Sequence, residues 1–193
     1  MKVKEFYDVV SSTFSYVLID DDTSICAIID PVLEYNQYTG KCSAVNADKI
    51  LNFIKENNLI CEWVLETHIH ADHITAADYI KSKLNIKVGI GEGVKSILHY
   101  WVNIFNINQE VPIEGTHFDK LFYDNEVIKI GNLNIKVIKT PGHTPSCVSY
   151  LVEDRIFVGD TLLMPNAGTA RADFPGGNAT TLFKSIKKIL SLP

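Results

Sequence analysis

The residues of this chain with the clearest potential for chemistry are four metal-binding side chains in one short segment. Residues 67–73 read THIHADH and carry His68, His70, Asp72 and His73. The segment directly follows a strand-like run, and side chains two apart in an extended chain point to the same face. Imidazole and carboxylate groups are ligands that zinc, iron and manganese share. The alternative is a polar surface loop, but strand-end loops are also where sites are built, so we interpret the segment as part of a metal site.

Two further candidate ligands follow later in the chain, each at the end of a predicted strand. His143 lies in the turn 141–145 (PGHTP), and Asp160 closes the apolar run 156–160 (IFVGD). Taken alone, each would more often be a turn or capping residue. Because strand ends in a layered domain meet along one edge, the three segments can deliver their ligands to one place. His99 and His117 have no such context and are interpreted as a helix residue and a loop residue.

The elements that must position these residues follow from the hydrophobic pattern. A hairpin around the DDD turn at 20–22, a Pro31 that ends its second strand, and a helix capped by Asn178 are the clearest local signals. The polar stretch 34–44 is interpreted as a loop. The pattern predicts strands at 14–19, 25–29, 62–66, 87–90, 126–130, 133–139, 148–152 and 155–158, and helices at 47–54, 75–84, 94–105 and from 178 onward.

Composition excludes several classes of protein. The chain is 46% hydrophobic and 21% charged, which is ordinary for a globular protein, and its net charge of −5 argues against nucleic-acid binding. It holds sixteen Lys but two Arg, Arg155 and Arg171. No run is long enough to cross a membrane and no secretory signal begins the chain, so we expect a cytoplasmic protein. The four scattered cysteines form no C-x-x-C pair, and those in apolar surroundings, Cys26, Cys61 and Cys147, are interpreted as buried free thiols.

The metal-binding segment resembles the H-x-H-x-D-H signature of the metallo-β-lactamase superfamily, and His143 and Asp160 fall where that superfamily places its next two ligands. Four blocks look like one branch, the persulfide dioxygenases: 66–77 (ETHIHADHITAA), 140–147 (TPGHTPSC), 157–163 (FVGDTLL) and 168–177 (GTARADFPGG). The resemblance runs from about Ser15 to the last residue. It implies an α/β (α+β) fold, the αββα sandwich, as a single domain over residues 1–193.

The resemblance also implies a cofactor and a reaction. In this branch one iron(II) is held by residues at the positions of His68, His143 and Asp160. Two His and one carboxylate leave coordination positions free for substrate and O₂. The implied reaction converts glutathione persulfide, O₂ and water to sulfite and glutathione. Zinc has no redox chemistry and could substitute only in binding or in another reaction.

The remaining motif residues are assigned by the same resemblance. His70, Asp72 and His73 match superfamily ligands that this branch does not use for its iron, so they are expected to orient the iron ligands or to hold a second metal. Arg171 matches the Arg of the G-T-x-R-x-D-F block. It either binds a glutathione carboxylate or holds the loop through Asp173, and the alternative is a plain ion pair.

Two other functions remain open. A dinuclear-zinc thioester hydrolase of the glyoxalase II type would recruit His70, Asp72 and His73, and it normally needs a further His later in the chain, whereas no His follows His143. A non-catalytic metal-binding or sensor domain could use the same scaffold. Cys147, next to the metal turn, is interpreted as a packed thiol rather than a sulfur acceptor.

The end of the chain carries an expectation of its own. The superfamily normally continues past the last predicted helix into at least one more strand, and an uncovered sheet edge favours aggregation. We therefore expect a chain that is incomplete at its C-terminus. The sequence leaves a homodimer open.

Overall fold

The strands and helices agree with most of the hydrophobic pattern. In this computed structural model, which describes residues 1–107 and 110–193, the strands are β1 (Lys2–Asp8), β2 (Thr13–Ile19), β3 (Ile25–Ile29), β4 (Val32–Asn36), β5 (Lys41–Ser43), β6 (Ile60–Glu66), β7 (Ile74–Thr75), β8 (Lys87–Gly91), β9 (Lys120–Phe122), β10 (Val127–Ile130), β11 (Leu133–Lys139), β12 (Val148–Val152) and β13 (Arg155–Phe157). The helices are α1 (Val45–Glu56), α2 (Ala77–Leu84), α3 (Val94–Phe105) and α4 (Ala179–Leu190), with a short 3-10 helix at Gly159–Thr161.

The described residues divide into two units, each with its own core. The first unit comprises Met1–Glu66, His70–Gly89 and Lys129–Asn134, and the second comprises Thr67–Ile69, Ile90–Ile128 and Ile135–Pro193. The sequence-based assignment of one domain stays a prediction. Among the described residues, none of the helices has the length and apolarity that a membrane crossing requires.

The sheet of the first unit places two strand ends side by side. Its strands β1, β2 and β3 are antiparallel neighbours, and β3 pairs in parallel with β6, with Ile29 opposite Leu65. Ile28, Ile29 and Val64 are fully buried, as expected for strands covered on both faces. Because parallel strands end at the same edge, the residues that follow β3 and close β6 come together there.

The predicted loop at 34–44 is wrong, because the chain forms an antiparallel hairpin of β4 and β5 there. Glu34 pairs with Ser43, and Asn36 pairs with Lys41. The Asn36 side-chain oxygen accepts hydrogen bonds from the backbone N–H groups of Tyr38 and Thr39, which closes the turn without apolar residues. The hairpin is mostly exposed, so its strands lack the apolar alternation by which a strand is recognised.

The second unit builds a sheet in which β12 lies between β11 and β13. Tyr150 on β12 is fully buried, and its ring lies nearly perpendicular to the Phe122 ring, with the two ring centres 6.5 Å apart. Helix α3 contributes Val94 and Leu98 to a cluster with Ile90 of β8. This core fixes the turns on either side of β12 and β13, where two of the candidate ligands lie.

Helix α4 begins where the sequence predicted, and its cap can be tested. The Asn178 side chain accepts a hydrogen bond of 2.9 Å from the Thr181 backbone N–H. Replacing Asn178 by Ala is expected to lower the free energy of unfolding by about 1 kcal/mol, because a backbone donor loses its partner. Urea unfolding measures this loss. Asn178→Asp retains an acceptor and should unfold close to wild type, and equal losses in both variants would contradict a capping role.

Candidate metal centre

His68 enters the site as the chain leaves β6. The residue is 1% exposed, and its Nδ1 lies 3.0 Å from the Thr67 hydroxyl. The Thr67 carbonyl accepts a hydrogen bond from the Val148 backbone N–H at 2.9 Å, which ties this segment to the start of β12. Thr67 therefore holds both the backbone that precedes His68 and one nitrogen of its imidazole.

His143 is oriented by a tight turn and by one hydrogen bond. Gly142 has φ +142°, and a Cβ there would overlap the backbone of Leu182 in α4, so the turn needs glycine. The His143 Nδ1 lies 2.7 Å from the carbonyl oxygen of Arg171. Because a carbonyl oxygen only accepts, Nδ1 carries the proton and Nε2 presents its lone pair in the neutral imidazole. The imidazole also packs nearly perpendicular to the Phe174 ring, with the two ring centres 5.3 Å apart.

Asp160 completes a group of three ligands in the second unit. It lies in the 3-10 helix after β13, anchored by the Thr161 hydroxyl, which donates to the Thr140 carbonyl. Its Oδ2 is 3.4 Å from Nε2 of His143 and 3.7 Å from Nε2 of His68. The three ligand atoms lie within 4.8 Å of one another. Two imidazole nitrogens and one carboxylate oxygen fit a divalent transition metal, including iron(II).

The structure therefore brings together the three residues that the resemblance implies as iron ligands. Their sequence separation is large, and three different turns deliver them. The expectation that strand ends meet agrees with the distances, although Asp160 lies one turn beyond its strand, which ends at Phe157 rather than at the predicted residue 158. His99 in α3 and His117 in a turn lie where the sequence indicated.

His70 makes a different set of contacts, within the first unit. Its Nε2 lies 3.2 Å from Asp30 Oδ1 and 3.2 Å from Glu66 Oε2. Burial alone would lower the pKa of His70, but the two carboxylates outweigh it and raise that pKa well above its ordinary value. Burial raises the pKa of Glu66, and the His70 hydrogen bond opposes this shift. A proton on Nε2 satisfies both acids and occupies the atom that would otherwise bind a metal.

Asp30 and Glu66 are the two site residues that sequence reasoning missed. They follow β3 and close β6, the parallel neighbours of the first sheet, and their exposures are 5% and 2%. Asp30 also has φ +47°, an uncommon conformation for a residue with a Cβ. The sequence did contain a signal for both, since each acid ends an apolar strand as Asp160 does.

Asp72 and His73 form a smaller pair next to His70. Asp72 Oδ1 is 3.2 Å from His73 Nδ1, and this hydrogen bond lowers the pKa of Asp72 to about 2. The buried Nε2 of His73 has no hydrogen-bond partner among the described residues. Ligand atoms of His70, Asp72 and His73 lie within 4.8 Å of one another. This group could hold a second ion if the His70 atom were available.

Arg171 is tied to its own loop. Its guanidinium donates two hydrogen bonds to the Asp173 carboxylate, at 2.5 and 2.7 Å, and lies 4.9 Å from the centre of the Phe174 ring. This pairing lowers the pKa of Asp173 to about 2. Both charged side chains are well exposed, so the guanidinium faces solvent while its backbone carbonyl orients His143.

The His70 cluster predicts a pH dependence of stability for the metal-free protein. Below the ordinary His pKa of 6.5, His70 is protonated in both the folded and unfolded chains, so its pairing contributes fully. As pH rises above 6.5 towards the raised folded pKa, only the folded chain retains the proton and this contribution is lost. Urea midpoints of chelator-treated protein should therefore fall across this range. His70→Gln should give a flatter profile, and parallel profiles would contradict the assignment.

The fold and this site define a member of a known family. A family model described as the metallo-beta-lactamase superfamily matches residues 9–193, and the chain belongs to that superfamily. The chain also superposes on the crystal structure of ETHE1 from Myxococcus xanthus with a TM-score of 0.80, at 30% identity, covering all of this chain and 72% of that one. The predicted α/β metallo-β-lactamase-like fold is confirmed.

Two curated relatives carry different names. Glyoxylase B2 of Dictyostelium discoideum is 51% identical over the whole of this chain and 66% of its own length. The mitochondrial persulfide dioxygenase ETHE1 of Homo sapiens is 31% identical over 99% of this chain and 64% of its own length. The chain therefore spans just under two thirds of each of these relatives. Superfamily membership supports an enzyme with a metal cofactor, and the particular reaction needs a separate argument.

Proposed function

We propose that this chain catalyses the iron-dependent oxidation of glutathione persulfide by O₂, giving sulfite and glutathione. The observation that carries the proposal is the group of His68, His143 and Asp160, which supplies two imidazoles and one carboxylate within 4.8 Å. This ligand set is typical of iron(II) oxygenases that leave open coordination positions. Similarity to the persulfide dioxygenases supports the choice of substrate.

His68, His143 and Asp160 would hold the iron, and the residues around them orient their side chains. Bound iron supplies the one-electron chemistry that allows O₂ to react with a closed-shell persulfide. His143 keeps its proton on Nδ1, bonded to the Arg171 carbonyl, so that Nε2 remains a ligand. Burial of His68 and His143 limits water around two of the ligands, while the part-exposed Asp160 lies on the accessible side. The overall reaction consumes one persulfide, one O₂ and one water, and releases glutathione, sulfite and two protons.

Metal content and O₂ uptake test this proposal together. Anaerobically prepared protein should hold one iron per chain and consume one O₂ for each sulfite formed from glutathione persulfide. Protein loaded with zinc should bind metal and consume no O₂, because zinc has no redox chemistry. Absence of O₂ uptake by iron-loaded protein with any persulfide would overturn the proposal and favour a non-catalytic metal-binding or sensor domain.

A dinuclear-zinc thioester hydrolase is the second candidate, and one observation favours it. The buried Nε2 of His73 has no hydrogen-bond partner among the described residues, as expected for an atom that awaits an ion or a water. The name of the Dictyostelium relative is consistent with this chemistry. Two zinc ions per chain and cleavage of a glutathione thioester would establish the hydrolase.

For the substrate, we propose that Arg171 binds a glutathione carboxylate and that Asp173 holds the guanidinium in place. Arg171→Ala should raise the KM for glutathione persulfide about tenfold or more and leave kcat little changed, because a charge-assisted hydrogen bond contributes about 1.5–3 kcal/mol. Steady-state O₂ consumption measures both constants. A simple alkyl persulfide without carboxylates should show no such difference between the two proteins.

Arg155→Ala is the matched control for this substitution. Arg155 is the other arginine of the chain, half-exposed and paired with the neighbouring Asp154 at a strand turn. It should leave both constants unchanged. Unchanged constants in Arg171→Ala as well would remove the substrate-binding role. A fall in kcat without a change in KM would instead show that Arg171 acts through the loop that orients His143.

The cellular setting follows from the same proposal. We place the reaction in a reducing cytoplasm, where glutathione and its persulfide occur, and we expect no nucleic-acid or membrane partner. A homodimer stays a prediction that sedimentation of the purified protein can test.

A further inference from the structure

Two cysteines of the first unit occupy directly opposite positions on neighbouring strands. Cys26 of β3 is paired with Cys61 of β6 in the parallel ladder, and the register shifts immediately afterwards, between Cys26 and Ala27. Neighbouring strands lie about 4.8 Å apart, and a disulfide needs a Cα separation of about 4.4–6.8 Å. Opposite residues of a parallel pair also point to the same face, so the spacing of these strands suits a covalent link.

The two thiols already contact each other. They share a hydrogen bond, and the Cys61 Sγ lies 3.6 Å from the Trp63 carbonyl oxygen, which accepts from it. The hydrogen bond to Cys61, together with burial, raises the pKa of the Cys26 thiol. Cys26 is fully buried, whereas Cys61 is half-buried, which corrects the expectation that both are buried.

We propose that Cys26 and Cys61 form a reversible dithiol–disulfide site that reacts with small disulfides such as glutathione disulfide. The half-buried Cys61, as thiolate, attacks one sulfur of glutathione disulfide, forming a mixed disulfide and releasing one glutathione. Cys26 then attacks the Cys61 sulfur and releases the second glutathione, whose leaving sulfur takes up the Cys26 proton. The protein loses two electrons and two protons, and one glutathione disulfide becomes two glutathione molecules.

The position of the pair gives the site a defined structural consequence. Both cysteines lie near the amino ends of β3 and β6, and the carboxyl ends of the same two strands lead to Asp30 and Glu66. A disulfide would clamp this strand pair at the end opposite to the His70 cluster. In a reducing compartment such bonds are transient and are typical of redox-responsive sites rather than of structural ones.

The other two cysteines serve as internal controls. Cys42 is exposed on β5, and no other cysteine of the described residues is paired with it. Cys147 is buried, with its sulfur 3.1 Å from the Thr144 hydroxyl. We expect glutathione disulfide to leave a glutathione adduct on Cys42 and to leave Cys147 as a free thiol.

The experiment uses the purified iron-loaded protein and the Cys42→Ser variant, each treated with glutathione disulfide. The intact mass of Cys42→Ser should fall by two hydrogen atoms and return after dithiothreitol. A non-reducing digest should contain one cross-linked peptide pair that carries Cys26 and Cys61. In a Cys42→Ser/Cys26→Ala double variant, Cys61 should instead retain a glutathione adduct, because no resolving thiol remains.

The opposite outcomes are equally clear. A stable glutathione adduct on Cys61 in the Cys42→Ser protein, or unmodified Cys26 and Cys61 after prolonged treatment, would overturn the proposal. The digest of the parent protein decides the question even if the double variant does not fold. Because the readouts are masses and peptides, they do not depend on O₂ uptake, and failure here leaves the proposed reaction untouched.

Discussion

Replacement of Asp160 by Asn is expected to weaken iron binding by at least about 100-fold. The rate of O₂ consumption should fall by at least the same factor. The Asp160 carboxylate is the only anionic member of the group formed with His68 and His143, and its Oδ2 lies within 4 Å of both imidazole Nε2 atoms. Asn keeps the shape of the side chain but removes the charge. Residues that merely support metal ligands cost about 10–100-fold in affinity when they are lost, so a ligand should cost more.

Two measurements separate lost binding from lost folding. Iron content after equilibration against a competing chelator gives the affinity, and thermal unfolding with and without iron gives the stabilisation by the metal. When free iron is 100-fold above the wild-type Kd, iron binding should raise the free energy of unfolding of wild type by about 2.7 kcal/mol. The same iron concentration should stabilise the variant much less. The metal-free proteins should unfold alike, because Asp160 is partly exposed.

The exposed turn residue Asp154 provides the matched control for Asp160. It carries the same carboxylate on the surface, beside Arg155. Asp154→Asn should bind iron and consume O₂ as wild type does. Wild-type iron affinity in Asp160→Asn would show that the metal is held elsewhere, and the assignment of all three ligands would fail with it.

Replacement of His70 by Ala is expected to cost about 3–5 kcal/mol of the free energy of unfolding of the metal-free protein. The change removes the partner that Asp30 and Glu66 share and leaves two buried carboxylates facing each other. Removing one partner from a buried group of charged side chains typically lowers the free energy of unfolding by about this amount. The cost should be larger at pH 5 than at pH 8, because the wild-type pairing contributes fully only below the ordinary His pKa of 6.5 and is lost as pH rises.

His99→Ala is the matched control for this prediction. His99 is half-exposed on α3 and lies 3.5 Å from Glu114, so its removal should change the free energy of unfolding by less than about 1 kcal/mol. Urea unfolding at the two pH values compares the variants. A loss in His70→Ala that is no larger than in His99→Ala would show that the buried cluster contributes no stability.

The same variant also distinguishes the two candidate functions. If one iron is held by His68, His143 and Asp160, refolded His70→Ala should retain one iron per chain and measurable O₂ uptake. A dinuclear hydrolase would lose a ligand of its metal pair and with it one of two zinc ions. In His70→Ala, the free energy of unfolding therefore tests the buried His70 cluster, and the metal content tests which residues hold the metal.

Local structure was largely predictable from the sequence. The stripe of α3 and the cap of α4 depend on residues within one or two turns of each other, and both were predicted correctly. The β4–β5 hairpin was not, because its strands are exposed and polar and its turn is closed by one Asn36 side chain. A pattern that reports burial cannot detect a strand that buries little.

The candidate ligands were predictable as residue types, and their clustering followed from their positions at strand ends. The hydrogen bonds that decide how they act were not. His70 was expected to orient the iron ligands or to bind a second metal, yet its Nε2 is engaged by Asp30, forty positions away, and by Glu66. Nothing in the spacing of the THIHADH segment distinguishes a His70 that binds metal from one that pairs with buried acids.

The sequence alone therefore determined which ligand groups are present: imidazoles and carboxylates in an arrangement that belongs to the metallo-β-lactamase superfamily. The tertiary structure decided which atom of each residue remains available. The Arg171 carbonyl, twenty-eight positions from His143, fixes the proton on Nδ1, and the parallel pairing of β3 and β6 sets Asp30 and Glu66 around His70. Protonation and lone-pair direction depend on contacts across the fold, because a hydrogen bond is formed by distance and angle in space and not by separation along the chain.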